Sequence, residues 1–192
     1  MIGNYIPNIR KVSKWIWVAR ILILILLLLN FSFIWHNSAK ISRESDKSSK
    51  KIASDIAPIV VDGYEELPTP EQKKHVSNLN GKIRSFAHFA EFVPLGFLLF
   101  VLALVLFDFK NRKLYWKPIW CTLFSLVITL VVALCDELHQ LSVKGRTFQA
   151  RDILFDTSGA LIGCVLALIP TFIANIKKNK RGCLKTPPEN RG

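Results

Sequence analysis

Four long apolar runs divide the chain, and each is long enough to cross a membrane as a helix. The pattern predicts spans at about 15–35, 86–107, 117–135 and 153–173, since roughly 20 apolar residues at 1.5 Å each cross the hydrocarbon core. Polar segments separate these runs. The expected fold is an all-α membrane protein, a four-transmembrane-helix bundle with a polar outer loop, 36–85, between its first two helices.

The first run is predicted to be an uncleaved membrane anchor. Basic residues before it would also suit a signal peptide, but the apolar stretch is too long for one and no convincing cleavage site follows. Trp15 and Trp35 stand at its two ends, where indole rings prefer the head-group region of the bilayer.

Positive charge predicts how the four spans are oriented. Basic residues are in excess in segments 1–14, 108–116 and 176–192, whereas 36–85 holds nine basic and seven acidic residues and 136–152 holds three of each. Because basic excess marks the cytoplasmic side, we expect a cytoplasmic N-terminus (1–14), a membrane domain (15–175) and a cytoplasmic tail (176–192). Segments 36–85 and 136–152 are then outer loops of a cell-membrane protein.

The net charge of +12 could also suggest a nucleic-acid partner. The hydropathy favours the lipid bilayer instead, and no nucleic-acid motif accompanies the lysines. The four cysteines have no metal-site spacing, so we expect buried thiols, no disulfide and no cofactor.

The long outer loop is mostly polar. Its first half is predicted to hold a short amphipathic helix that ends near Pro58, and YEELPTPEQ at 64–72 is typical of a turn-rich connector. We expect the loop as a whole to be solvated and to lie on the membrane surface.

Polar residues at helical spacing mark the outer ends of the last three spans. Arg84, His88 and Glu91 follow one stripe of the second helix, and Glu137 and Gln140 lie three residues apart in the last turn of the third. A carboxylate that faced lipid at this depth would cost several kcal/mol. The spacing therefore predicts one polar pocket that opens to the outer surface.

The fourth helix adds two carboxylates and a packing motif on one stripe. Asp152 and Asp156 are four residues apart, and Gly159 and Gly163 continue the stripe inward. The glycine spacing allows a neighbouring backbone to approach closely. The acidic face and the packing face of this helix should therefore coincide.

Several roles are open to these residues. An ion-pair network with the arginines would hold the bundle together, and His88 could be a general base, a ligand or a packing residue. His139 lies off the Glu137–Gln140 line and is expected to face solvent. The candidate catalytic residues are His88, Glu137, Asp152 and Asp156. The candidate ligand-binding residues are Arg84, His88, Glu91, Glu137, Gln140, Arg146, Arg151, Asp152 and Asp156. No metal is expected, although oxygen ligands at Glu91, Glu137, Asp152 and Asp156 would suit Mg²⁺ or Ca²⁺.

Ordered motifs make the chain resemble the VanZ family. They are RSFAHFAEFVPLG at 84–96, DELHQ at 136–140, GR at 145–146 and RDILFDTSGALIG at 151–163. Asp156 stands where many members carry Asn, which adds an ionisable group. The resemblance covers about residues 15–175 and implies a multi-pass bacterial cell-membrane protein of a family associated with resistance to the lipoglycopeptide teicoplanin.

Three functions are compatible with these patterns. The first is an envelope protein that binds an outer-leaflet amphiphile, such as a lipid-linked cell-wall precursor or a lipoglycopeptide tail, through arginine contacts to phosphate or carboxylate. The second is an intramembrane hydrolase or transferase that acts on a lipid-linked head group. The third is a small transporter, for which four spans are few. The first is favoured.

Overall fold

Five α-helices follow one another along the described part of the chain, which is residues 14–39, 42–107, 116–144 and 147–183 of a computed structural model. The helices are α1 (Lys14–Ser38), α2 (Ser42–Val60), α3 (Thr69–Leu106), α4 (Trp116–Leu141) and α5 (Ala150–Cys183), with a short 3-10 turn at Tyr64–Glu66. The basic N-terminus, most of the 108–116 loop, Arg146 and the end of the tail lie outside the described residues.

Four of these helices, α1, α3, α4 and α5, are long and apolar enough to cross a membrane. The expected all-α fold with four membrane-length helices is therefore confirmed. At one end of the bundle, α1 and α4 end and α5 begins. We call this the polar end.

The spanning helices extend beyond the apolar runs in the sequence. α3 begins at Thr69 rather than near 86, and its 38 residues make it about 57 Å long, nearly twice the hydrocarbon thickness. α4 continues to Leu141 and α5 begins at Ala150. Hydropathy reports only the apolar part of a helix, whereas the backbone hydrogen bonds of the helix continue into polar segments.

Most of the polar segment between α1 and the membrane part of α3 is helical. α2 includes Pro58 and ends at Val60. It packs beside the first half of α3 through Ala53 and Ala57 against Val76, and Asn80 donates a hydrogen bond to Asp46. The predicted amphipathic helix is thus one arm of a helical hairpin.

α3 is the central helix of the bundle, because it contributes to every apolar cluster in the described residues. Phe92, Leu95 and Leu99 pack with residues of α1 and α4. Nearer the other end, Phe100 and Ala103 pack with α4 and α5. The large side chains of α1 are mostly exposed, as expected of a helix that faces lipid.

α1 is attached to α3 by polar contacts. Arg20 Nη2 donates to the carbonyl oxygen of Val105 at 3.0 Å, one of the last-turn carbonyls that lack an intrahelical partner. Towards the polar end, Asn37 Nδ2 donates to Glu91 Oε1 at 2.8 Å.

Three glycines bring α3 and α5 into backbone contact. A Cβ added at Gly96 would meet the backbone of Ala160, one at Gly159 would meet the carbonyl of Phe89, and one at Gly163 would meet the carbonyl of Val93. No side chain longer than hydrogen fits at these positions unless the two helices move apart.

We predict that Gly163→Ala destabilises the protein by about 1–3 kcal/mol, because the added methyl group would force two backbones apart. Gly81→Ala is the matched control, since Gly81 also lies in a helix and nothing stands within 4 Å of its added Cβ. The control should leave stability unchanged or raise it by about 0.5–1 kcal/mol. Thermal unfolding in detergent micelles, followed by circular dichroism, measures both, and equal effects of the two variants would contradict the prediction.

Candidate functional site

Five buried polar side chains meet at the polar end of the bundle. α4 supplies Asp136, Glu137 and Gln140, and α5 supplies Asp152 and Asp156. Each is less than a tenth exposed, and Asp156 is fully buried. Two carboxylates and an amide at the end of α4 and two carboxylates at the start of α5 would repel one another or lack hydrogen bonds without partners, so their contacts decide what the site can do.

His88 of α3 lies between the two aspartates of α5. Its Nε2 is 3.9 Å from Asp152 Oδ2, and its Nδ1 is 3.6 Å from Asp156 Oδ1. These two are the ion pairs recorded among the described residues. The helical stripes of α3 and α5, which were separate in the sequence, therefore face each other across the glycine contact.

Gln140 and Glu137 form hydrogen bonds that connect neighbouring elements. Gln140 Nε2 donates to Asp136 Oδ2 at 2.8 Å and to Ser38 Oγ at 3.1 Å, which links α4 to the end of α1. Glu137 Oε2 accepts from the backbone N–H of Gln149 at 2.8 Å. The carboxylate of Glu137 therefore holds the residue that precedes α5.

Several buried atoms of the cluster have no hydrogen-bond partner within the described residues. They are His88 Nδ1, Asp136 Oδ1, Glu137 Oε1 and both carboxylate oxygens of Asp156. One atom each of His88, Asp136 and Asp156 lies within 4.8 Å of the other two. This trio, one residue from each of α3, α4 and α5, could hold a metal ion.

Arg151 takes a position that the helical spacing did not indicate. Arg151 Nη2 is 3.5 Å from Ser85 Oγ, and its guanidinium lies 5.2 Å from the ring centroid of Phe155. Glu91 is bonded by the amide of Asn37. Among the described residues, no arginine pairs with a carboxylate of the cluster, and Arg146 lies outside them. An arginine-based ion-pair network therefore has no support at the described positions.

A polar cavity of about 260 Å³ opens beside the cluster, under α2. Arg84, His88 and Glu91 line it from α3, so the predicted stripe of the second span faces this space. The other lining residues are Asn37, Ser38, Ser48, Ser49, Ile52, Ile83 and Ala87. The cavity gives His88 a route to polar surroundings from the side opposite α5.

A second depression, which we call the α3–α5 groove, lies on the other side of α3. Its volume is about 530 Å³, and its walls are Lys82, Ser85, Phe86 and Phe89 of α3 with Arg151, Phe155 and Ser158 of α5. The rings of Phe86 and Phe89 stack with centroids 6.1 Å apart. Two cations and three phenyl rings therefore share one surface.

His139 does not face solvent, so that prediction was wrong. Its ring stacks on Trp35 of α1 with centroids 4.0 Å apart and planes 18° from parallel. Helical spacing placed His139 away from the polar cluster. A side chain that points away from one neighbouring helix can still pack against a different helix. Here α1 covers that face of α4.

Sequence reasoning missed three residues of the site. Asp136 was outside the candidate set, although its spacing of four from Gln140 was a usable signal. Asn37 and Ser38 contact the cluster from the end of α1. Nothing in the sequence indicates them, because they reach the site only through the packing of α1.

The comparisons with known proteins identify a family for this chain. No curated protein and no solved structure matches the chain. The family model described as VanZ/LLP1 matches residues 16–173, a range that includes most of each spanning helix and every residue of the cluster. The chain therefore belongs to the VanZ/LLP1 family, and the resemblance seen in its motifs is confirmed.

Proposed function

We propose that this VanZ-family membrane protein binds the anionic head group of an amphiphile in the outer leaflet of the cell membrane. The head group would lie at Lys82 and Arg151, with the hydrocarbon tail along the α3–α5 groove. A prenyl diphosphate, the lipid part of a cell-wall precursor, has this combination of charge and tail. The acyl chain of a lipoglycopeptide such as teicoplanin is the related alternative.

The composition of the groove is the observation that carries this proposal. Lys82 precedes Phe86 by one helical turn in α3, and Arg151 precedes Phe155 by one turn in α5. Both helices run away from the polar end, so the cations stand nearer that end than the rings. An anion at the membrane surface and a chain in the hydrocarbon would meet matching groups in that order.

Charge and exposure support the same role. Phe86 is 67% exposed. Contact of its phenyl ring with a hydrocarbon chain would be more favourable than contact with water. Arginine offers a planar set of donors that suits phosphate. In the part of the chain that the structure describes, neither Lys82 nor Arg151 has a recorded carboxylate partner within 4.0 Å.

The outward orientation of the polar end is part of the proposal and rests on the basic excess at 1–14, 108–116 and 176–192. In a cysteine-less background, we predict that Ser77→Cys and Ser142→Cys react with a membrane-impermeant maleimide in intact cells. Asn190→Cys should react only after lysis. The reverse pattern would place the polar end in the cytoplasm and would exclude an outer-leaflet ligand.

Lys82→Gln combined with Arg151→Gln is predicted to weaken binding of farnesyl diphosphate at least tenfold. Hydrogen bonds to charged groups contribute about 1.5–3 kcal/mol each, and every 1.4 kcal/mol is a factor of ten in affinity. Titration calorimetry of the full chain in phosphatidylcholine nanodiscs measures the affinity. Farnesol, which has the tail without the anion, should bind far more weakly.

The matched control is Lys73→Gln combined with Lys74→Gln. These exposed lysines lie on the same helix, outside the groove, and their replacement changes the net charge equally. The control should keep the wild-type affinity within about twofold, because an exposed charge at a distance is screened by salt. Equal losses in both double variants would show a general charge effect and contradict the proposed site.

A contribution to teicoplanin resistance follows as a cellular prediction. A deletion strain should be more susceptible than its parent, and the wild-type gene should restore resistance where the Lys82→Gln, Arg151→Gln variant does not. Abundance is measured by immunoblot in each strain. Equal susceptibility of parent and deletion strains would remove resistance from the function of this chain while leaving lipid binding to be judged by calorimetry.

An intramembrane enzyme is a second candidate, and the position of His88 between two aspartates favours it. A histidine oriented by a carboxylate is a common general base, and the polar cavity reaches His88. Release of phosphate or of a head group from a lipid-linked substrate, lost in His88→Gln at unchanged affinity, would establish this activity. Absence of turnover would leave a binding protein.

A further inference from the structure

We propose that His88, Asp136 and Asp156 bind one first-row divalent cation, such as Mn²⁺ or Zn²⁺. One ligand atom from each residue lies within 4.8 Å of the other two. Three ligand atoms around one such ion stand about 3–3.6 Å apart, since each bond is about 2.0–2.2 Å. Small side-chain rotations would therefore bring all three onto one ion.

The atoms available for coordination are those that the protein leaves without hydrogen bonds. Asp156 is fully buried, and neither of its oxygens has a partner among the described residues. The same holds for Asp136 Oδ1 and His88 Nδ1. A buried polar atom without a partner costs roughly 1–3 kcal/mol, and a shared cation would satisfy all of these atoms at once.

Charge balance also favours a cation. Asp136, Asp152 and Asp156 are buried together, and each recorded ion pair of these carboxylates in the described residues involves His88. Even a protonated His88 would leave a net negative charge in a low-dielectric region. A divalent ion supplies the missing positive charge from inside the cluster.

Neighbouring polar groups lie behind two of the three residues, one of them within hydrogen-bond distance. Gln140 donates to Asp136 Oδ2, which leaves Oδ1 for the ion. Asp152 lies 3.9 Å from His88 Nε2, on the side of the ring away from the trio. Metal ligands in proteins are commonly oriented by such outer groups, and a carboxylate behind a histidine is a frequent arrangement.

The donor set and the access route indicate the class of ion. One imidazole nitrogen with carboxylate oxygens suits Mn²⁺, Zn²⁺ or Fe²⁺, whereas Ca²⁺ requires six to eight oxygen ligands. The free cysteines Cys121 and Cys164 lie in a different cluster, nearer the other end of the bundle. His88 lines the polar cavity, so water can complete the coordination shell and the ion has an entry path.

The test is a Mn²⁺ titration of the chelator-treated full chain in nanodiscs, followed by electron paramagnetic resonance of free Mn²⁺. The expected result is one bound ion per chain, displaced by Zn²⁺ and not by Ca²⁺. Asp156→Asn should weaken binding at least tenfold. Gln140→Leu, which leaves the ligands intact, should weaken it by about 10–100-fold. Sites that bind divalent cations weakly have dissociation constants of roughly 0.1 mM or more. A wild-type protein that binds no Mn²⁺ at about 0.1 mM would therefore overturn the proposal.

Thermal stability separates coordination from a purely structural role. Asp156→Asn replaces a fully buried carboxylate that accepts no hydrogen bond among the described residues, so the metal-free variant should be as stable as the wild type or more stable. Zn²⁺ should stabilise the wild type by mass action and leave Asp156→Asn unchanged. The proposed site would be contradicted by an Asp156→Asn variant that is less stable than the wild type without metal and is still stabilised by Zn²⁺.

Asp55→Asn is the matched control, because Asp55 is an exposed aspartate of α2 away from the cluster. It should retain full Mn²⁺ affinity, and an equal loss in both Asp→Asn variants would contradict a specific site. The groove variant with Gln at positions 82 and 151 should also bind Mn²⁺ normally. Metal binding and amphiphile binding can therefore fail independently.

Discussion

The close approach of α3 and α5 is the contact on which the arrangement of polar groups depends. Gly96, Gly159 and Gly163 remove the side chains that would keep the two backbones apart. Because a helix is stiff, this contact in the membrane also sets the positions of residues one or two turns nearer the polar end. His88 is thereby held between Asp152 and Asp156, and Lys82 and Arg151 share one groove.

The same contact separates two chemical environments on opposite sides of α3. On one side, the polar cavity under α2 reaches His88 and Glu91. On the other, the α3–α5 groove carries phenyl rings with cations at its polar end. A buried acidic cluster therefore lies close to a groove that carries two cations and three phenyl rings, without sharing residues with it. The stability of the cluster and recognition by the groove can be altered separately.

Burial of several carboxylates in a membrane helix bundle demands compensation, and the structure shows how much of it the protein supplies. Glu91 has the amide of Asn37, Glu137 has the backbone N–H of Gln149, and one oxygen of Asp136 has Gln140. Asp156 has His88 at 3.6 Å and no hydrogen bond among the described residues. The buried oxygen atoms without hydrogen bonds are concentrated where three helices meet. This concentration is the physical basis of the proposed cation site.

The sequence by itself determined the fold class, the number of membrane-length helices, the family and most of the cluster, because hydropathy and helical spacing are properties of single helices. It predicted Glu137, Gln140, Asp152 and Asp156 as inward-facing groups, and all four are buried. Only the tertiary structure decided which of them meet. Asp136 joins His88 and Asp156, Arg151 lies over Phe155, and His139 stacks on Trp35. These pairings depend on how far each helix is rotated and which neighbour covers it. The helices' relative rotation is set by long-range contacts, such as the glycines of α5 against the backbone of α3, and the spacing within one helix carries no information about it.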